Sequence, residues 1–194
     1  MTKSFLFSIA LLLSVSLSAI AQKDTVRTIM SKKFNPTTNL IKWPEEFNPE
    51  KTNFYVYNEI EINAKPEAIW NILIDALKWE SWYKGAKNVS MTDSNHKFLQ
   101  ANSVIKWETM GQKFISPIQV YEPNKYLAWE SRKKSITGYH AWVIAPTVNG
   151  CRLITAESQN GFLTFMQRVF LPNKLLKLHD TWIKLIKEKA ENQN

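Results

Sequence analysis

The chain is poor in the residues that most often carry recognisable chemistry. Its one cysteine, Cys151, excludes an intrachain disulfide framework and any multi-thiolate metal site. Five glycines in 194 residues leave little for glycine-rich phosphate loops or for repeat punctuation. Gly-x-Ser-x-Gly, His-Glu-x-x-His, the Walker loop and the dinucleotide fingerprint are all missing. Only one long hydrophobic run occurs, at the N-terminus. What the chain has in quantity is aromatic surface: 8 Trp, 6 Tyr and 10 Phe, in a sequence that is 44% hydrophobic and 22% charged. That composition fits one globular domain with a substantial core.

The N-terminus has the layout of an export signal. Lys3 is its only charge, Phe5 to Val15 is almost unbroken apolar sequence, and Ala19-Ile20-Ala21 is a small-x-small cleavage site. The run is shorter than the roughly 20 residues a membrane span needs, so residues 1–21 are expected to be a cleaved signal peptide and the mature chain to begin at Gln22. The expected location is the periplasm or the cell exterior, with no stable span after cleavage. Removal of Lys3 lowers the 25 basic residues by one, against 17 acidic, for a mature charge of +7. The basic residues lie scattered, in short groups at Lys32-Lys33, at Arg132-Lys133-Lys134 in an expected turn, and along the last helix. This fits solvated faces better than a nucleic-acid site, and no nucleic-acid partner is expected.

Residues 22–52 lack clean periodicity and carry Asn35-Pro36, Trp43-Pro44 and Asn48-Pro49, which marks an extended lead-in that Trp43 and Phe47 would pin to a domain covering 53–191. Phe54 to Ile62 has the composition of a strand. Pro66 and Glu67 open a short helix, with Ile69, Trp70, Leu73 and Leu77 at helical spacing as far as about Leu77. A second short turn, Lys78 to Tyr83, sets Trp79 and Trp82 three apart, as core packing on one face would require. Strands are then expected at 104–109, 114–121, 126–131, 138–145 and 151–158, joined by turns into an antiparallel meander. Pro117 makes the second of these an edge strand or a bulged one. A leading helix, Phe162 to Phe170, precedes Pro172. Leu171, Leu175, Leu178, Trp182 and Leu185 step along one face of the main helix, which Pro172 divides from the leading one.

The stretch Asn58-Glu59-Ile60-Glu61-Ile62-Asn63-Ala64-Lys65-Pro66-Glu67-Ala68-Ile69-Trp70-Asn71-Ile72-Leu73-Ile74-Asp75, followed by Trp79 and Trp82-Tyr83, resembles the opening of the START-like superfamily called SRPBCC, which holds polyketide cyclase/dehydrase-like and lipid-transfer proteins. Leu127-Ala128-Trp129, His140-Ala141-Trp142 and Leu153-Ile154-Thr155-Ala156-Glu157 before Gly161 are similar too. The resemblance runs from about residue 54 to the end. It implies an α+β helix-grip fold: a curved antiparallel sheet wrapped around a long C-terminal helix, with two short helices after the first strand and an apolar cavity between. It does not imply one function, because the superfamily spans carriers, receptors and cyclases.

Alternation assigns the inner face independently. Lys106 and Glu108 outward turn Ile105 and Trp107 inward, and Glu130 outward turns Leu127, Trp129 and Ser131 inward. Arg152 outward turns Leu153, Thr155 and Glu157 inward. On the strand of His140 parity is undecided, and the resemblance favours His140 and Trp142 inside. The expected ligand wall is Trp107, Trp129, His140, Trp142 and Glu157, capped by Trp82 or Tyr83 and by Phe162 and Phe165. Aromatics supply area, and a few polar groups fix orientation. Each tryptophan has a second reading as ordinary core, and Glu157 as a strand-end carboxylate that reaches solvent or a lysine. An inward Glu157 beside His140 is also a candidate acid–base pair. His96 lies in a polar turn and His179 on the main helix, neither with a second ligand at metal spacing, so neither a metal nor any other cofactor is expected. Cys151 reads as a packed small residue.

Three functions follow as expectations: an exported binder of a small hydrophobic or amphipathic ligand, a cyclase or dehydratase-like enzyme using Glu157 and His140, or an interaction domain with a filled core and exposed Trp43 and Phe47.

Overall fold

The structure, a computed structural model, describes residues 29–30, 33–93 and 95–192, so the expected signal peptide lies outside it. Among the described residues no helix is long and apolar enough to cross a membrane. The elements are β1 (Ile29–Met30), a 3-10 turn at Glu45–Phe47, β2 (Phe54–Ile62), α1 (Pro66–Ile74), a 3-10 turn at Ala76–Lys78, α2 (Trp79–Trp82) and β3 (Lys87–Met91). There follow β4 (Val104–Thr109), β5 (Gln112–Glu122), β6 (Tyr126–Lys133), β7 (Ile136–Thr147), β8 (Gly150–Asn160), α3 (Phe162–Phe170) and α4 (Lys174–Glu191). They form the α+β helix-grip fold, with one antiparallel sheet in the order β1-β2-β8-β7-β6-β5-β4-β3 gripping α4.

The meander from β4 to β8 is sequential because each link is a tight turn. Met110 and Gly111, at φ 53° and 76°, take the two left-handed positions that a two-residue hairpin with right-handed twist requires. Asn124 at φ 63° does similar work between β5 and β6. Pro117 is not on an edge, since β5 pairs on both sides; the missing N–H is tolerated beside a register shift between Ile118 and Val120 opposite β6. β3 has no counterpart among the expected strands. Its sequence, Lys-Asn-Val-Ser-Met, shows too little apolar alternation, and pairing with β4 at the sheet edge forms it instead. α1 stops at Ile74, short of Leu77, because Asp75 at φ −81°, ψ 59° leaves the helix. Arg132 and Lys133 lie in β6, not in a turn.

The sheet has two apolar faces, and period-two alternation sorts side chains between them. On the inner face Ile105, Trp107, Leu127, Trp129, Trp142 and Leu153 join α1, α2 and α4 in the main core. On the outer face Tyr126, Ala128, Tyr139, Ala141, Ile154 and Ala156 are covered by Ile41 and Phe47 of the lead-in. Phe47 is only 1% exposed. Arg132 ties this segment down with a forked pair to Glu46, at 2.7 and 2.6 Å. A segment that seals a second apolar face belongs to the fold, so the packed unit begins well before residue 53.

Candidate functional site

The site starts from cross-strand rows on the inner face. Trp129 of β6 lies opposite His140 of β7, and His140 lies opposite Glu157 of β8. The next row toward the cavity mouth is Ser131, Gly138 and Gln159, and the next on the other side is Leu127, Trp142 and Thr155. Parity on β7 is thereby settled: His140 and Trp142 face in, Tyr139 and Ala141 face out.

Between this face, α3 and α4 lies a cavity of about 280 Å³. Its apolar wall includes Trp107, Phe114, Trp129, Leu163, Met166 and Leu178, and its polar end is His140, Glu157, Gln159 and His179. Five tryptophans meet behind it. Trp182 of α4 lies 5.1 Å from Trp79, 6.2 Å from Trp107 and 5.0 Å from Trp142, while Tyr83 stacks on Trp182 at 4.3 Å. Edge-to-face, tilted and stacked ring contacts together make this wall. Trp107 keeps its polar edge satisfied by donating from Nε1 to Ser116 Oγ at 3.0 Å, and Ser116 is hydrogen-bonded to Ser131 at 2.7 Å.

Two histidines address one carboxylate oxygen at the polar end. His140 Nδ1 is 3.5 Å from Glu157 Oε2 and His179 Nε2 is 3.3 Å from the same atom. The other oxygen, Oε1, accepts a hydrogen bond from Gln159 Nε2 at 2.5 Å. His140 Nε2 is hydrogen-bonded to Thr155 Oγ1 at 2.8 Å, while His179 Nδ1 is buried and has no partner among the described residues. Gly138 makes room for the group: a Cβ there would stand 3.1 Å from Glu157 Oε1 and 3.3 Å from Gln159 Cγ. Burial, and secondarily the neighbouring His179, holds His140 well below the usual imidazole range, so it is neutral at physiological pH. Burial also raises the Tyr83 phenol, with Glu157 as the lesser cause, which keeps it a hydrogen-bond donor, here to Leu178 O at 3.3 Å.

Of the residues expected at a ligand wall, the structure brings together Tyr83, Trp107, Trp129, His140 and Glu157. The others lie elsewhere. Trp142 is inward but one row too far along the sheet, closed off by Trp182 and by His140 at 5.2 Å. Trp82 is half-buried beneath the Lys189 ammonium, 5.5 Å from its ring, because Trp79 and Tyr83, four apart, take the inward face of that single turn. Phe162 and Phe165 are 67% and 46% exposed. Thr164 sets that phase: it is buried and its Oγ1 donates to Asn160 O at 3.1 Å, which turns Leu163 and Met166 inward in their place. The main helix is rotated too, burying Leu175, His179, Trp182, Ile183 and Ile186, while Leu171 is exposed. His179 was legible as inward, four residues after Leu175 and three before Trp182. That Glu157 and His140 would meet it was not.

No protein-family model matches the chain, and no curated protein does. Solved structures do match. A hypothetical protein, jhp0584, from Helicobacter pylori is 26% identical, with a TM-score of 0.73, over 81% of this chain and 99% of that one. The di-domain ARO/CYC StfQ of the steffimycin biosynthetic pathway is 15% identical, with a TM-score of 0.62, over 75% of this chain. The chain shares the helix-grip fold of these structures. A second di-domain ARO/CYC, BexL of the BE-7585A biosynthetic pathway, is 16% identical over 74% of this chain, at a TM-score of 0.59. The chain spans about half of each di-domain protein, 53% and 52%.

Proposed function

We propose that the protein is an exported binder of one small hydrophobic or amphipathic molecule, a lipid or an aromatic polyketide-like compound, held between the sheet and α4. The cavity carries this reading. Its walls are largely apolar and aromatic, its inner side is a tryptophan cluster, and His140, Glu157, Gln159 and His179 sit together among them as an interacting polar group, which is how a site fixes the orientation of an amphipathic ligand. The Phe5–Val15 run and Ala19-Ile20-Ala21 support export. Native mass spectrometry of the protein isolated from its own source tests the proposal. A stoichiometric apolar or aromatic adduct supports it. A clean apo mass, with no uptake of an apolar fluorescent probe such as N-phenyl-1-naphthylamine, overturns it.

A second reading is supported by one further observation, the direct pairing of His140 with Glu157 in a fold shared with proteins named ARO/CYC. As an enzyme of the cyclase or dehydratase kind, the chain would use the Glu157 carboxylate as base toward an acidic proton of a bound ligand, with the histidines beside it. Glu157→Gln then abolishes turnover while leaving ligand affinity nearly unchanged, whereas in a pure carrier it alters affinity alone. The interaction-domain reading required exposed Trp43 and Phe47 over a filled core. Phe47 is buried, Trp43 is half-buried and the cavity is open, so that reading is set aside.

A further inference from the structure

We propose that His140, Glu157 and His179 form a binding site for a borderline divalent transition ion of the zinc class, at the polar end of the cavity and with one coordination position open toward it. The donor set is the first ground. Two imidazoles and one carboxylate offer ligand atoms that all lie within 4.8 Å of one another, and the group is contributed by three separate elements, β7, β8 and α4. Two imidazoles and a carboxylate suit ions of this class, while a harder ion such as magnesium or calcium seeks more oxygen.

The distances are the second ground. A histidine hydrogen-bonded to a carboxylate as an ion pair closes to about 2.7–2.9 Å. Here both approaches to Glu157 Oε2 stay longer, at 3.3 and 3.5 Å. Bonds of about 2.0–2.1 Å to a tetrahedral ion put neighbouring ligand atoms about 3.3–3.4 Å apart, so the two approaches to Oε2 are close to edges of a coordination tetrahedron, while the third edge, between the two imidazole nitrogens, is bounded at 4.8 Å.

The supporting groups are the third. His140 is oriented through Thr155 Oγ1, and Glu157 through Gln159, which holds Oε1 and leaves Oε2 to act as a single-oxygen ligand. The two imidazole planes lie only 15° apart with centroids at 4.5 Å, so closing on an ion requires one ring to turn about its Cβ–Cγ bond. Turning His179 breaks no hydrogen bond at its Nδ1, which has no partner among the described residues. Two neutral imidazoles and one carboxylate leave a divalent ion with one net positive charge. The open position therefore favours an oxygen of an anionic or readily ionised ligand group, a carboxylate, an enol or a phenol.

The inference goes beyond the binding reading and fails separately from it, because uptake of the apolar probe is measured with chelator present. The full chain is stripped with chelator and titrated with cobalt(II) alone. The expected result is saturable uptake of one equivalent, a visible absorption of tetrahedral type, and displacement by zinc(II). In variants that retain the wild-type circular dichroism, Glu157→Gln and His179→Gln each weaken uptake by more than tenfold. Thr155→Val, which keeps all three ligands, weakens it by about 10- to 100-fold. Should the ligand variants not fold, X-ray absorption of the cobalt-loaded wild type decides: two coordinated imidazoles support the site, one or none overturns it. Absence of saturable uptake, or uptake indifferent to these substitutions in folded protein, overturns it as well.

Discussion

Replacing Phe47 by alanine tests whether the lead-in is part of the fold or a passenger on it. The ring is almost fully buried against the outer face of the sheet. It lies 5.7 Å from the Tyr139 ring and beneath the Arg132 guanidinium, 5.5 Å from its centre. Truncating a buried phenylalanine costs about 3–5 kcal/mol, from lost transfer energy and from the cavity left behind. For a chain of this size each kcal/mol lowers the melting temperature by about 2–4 °C, so a fall of about 6–20 °C is expected. The ligand side is expected to be spared. Tyr139 and His140 are adjacent on β7 but project to opposite faces, and sites on opposite faces without shared partners behave independently. Thermal melts followed by circular dichroism read the first effect. Titration with N-phenyl-1-naphthylamine well below the melting temperature reads the second. A melting temperature unchanged within about 2 °C would refute the claim that residues 33–52 close a second core. A large loss of probe affinity in folded protein would refute the independence of the two faces.

Two neighbouring residues of α3 test its rotation: Met166→Asp places a charge on the cavity wall and is expected to lower probe affinity at least tenfold, about 1.4 kcal/mol, whereas Phe165→Asp, on the exposed side, leaves it nearly unchanged. Equal effects in the same titration would mean the helix phase is misplaced. Gly161→Ala is expected to lower the melting temperature sharply, because φ is +116° and a Cβ would stand 2.5 Å from the Ser135 carbonyl oxygen. Gly138→Ala, which meets only side chains at 3.1 Å or more, is expected to change stability by no more than about 1 kcal/mol, as urea unfolding would show.

Much of the architecture follows from local pattern. Period-two alternation in β4, β6 and β8 assigned Trp107, Trp129 and Glu157 to the inner face, and the structure places them there, because a sheet with a buried face cannot slip by one residue without exposing it. Pro66 at the start of α1 is where local rules put it. The resemblance of Asn58 to Asp75, with Trp79 and Trp82-Tyr83, to the SRPBCC opening carried the topology, and it extended inward parity to His140. What stayed hidden depended on contacts between segments far apart in sequence. β3 is a strand only because β4 offers it an edge. The lead-in is integral only because the outer face of the sheet also carries an apolar patch. α3 turns Phe162 and Phe165 outward because Thr164 is held by the chain end of β8, a constraint that hydrophobicity alone does not express.

The polar end of the cavity shows the division most plainly. Sequence alone determined that Glu157 faces in, that His140 is a plausible neighbour, and that His179 sits three residues before Trp182 on a helix. Whether one carboxylate oxygen has two imidazoles within reach depends on how α4 is rotated and how far it slides along the sheet. Those two quantities are set by the packing of Trp182, Ile183 and Ile186 against the tryptophan cluster, and only the tertiary structure decides them.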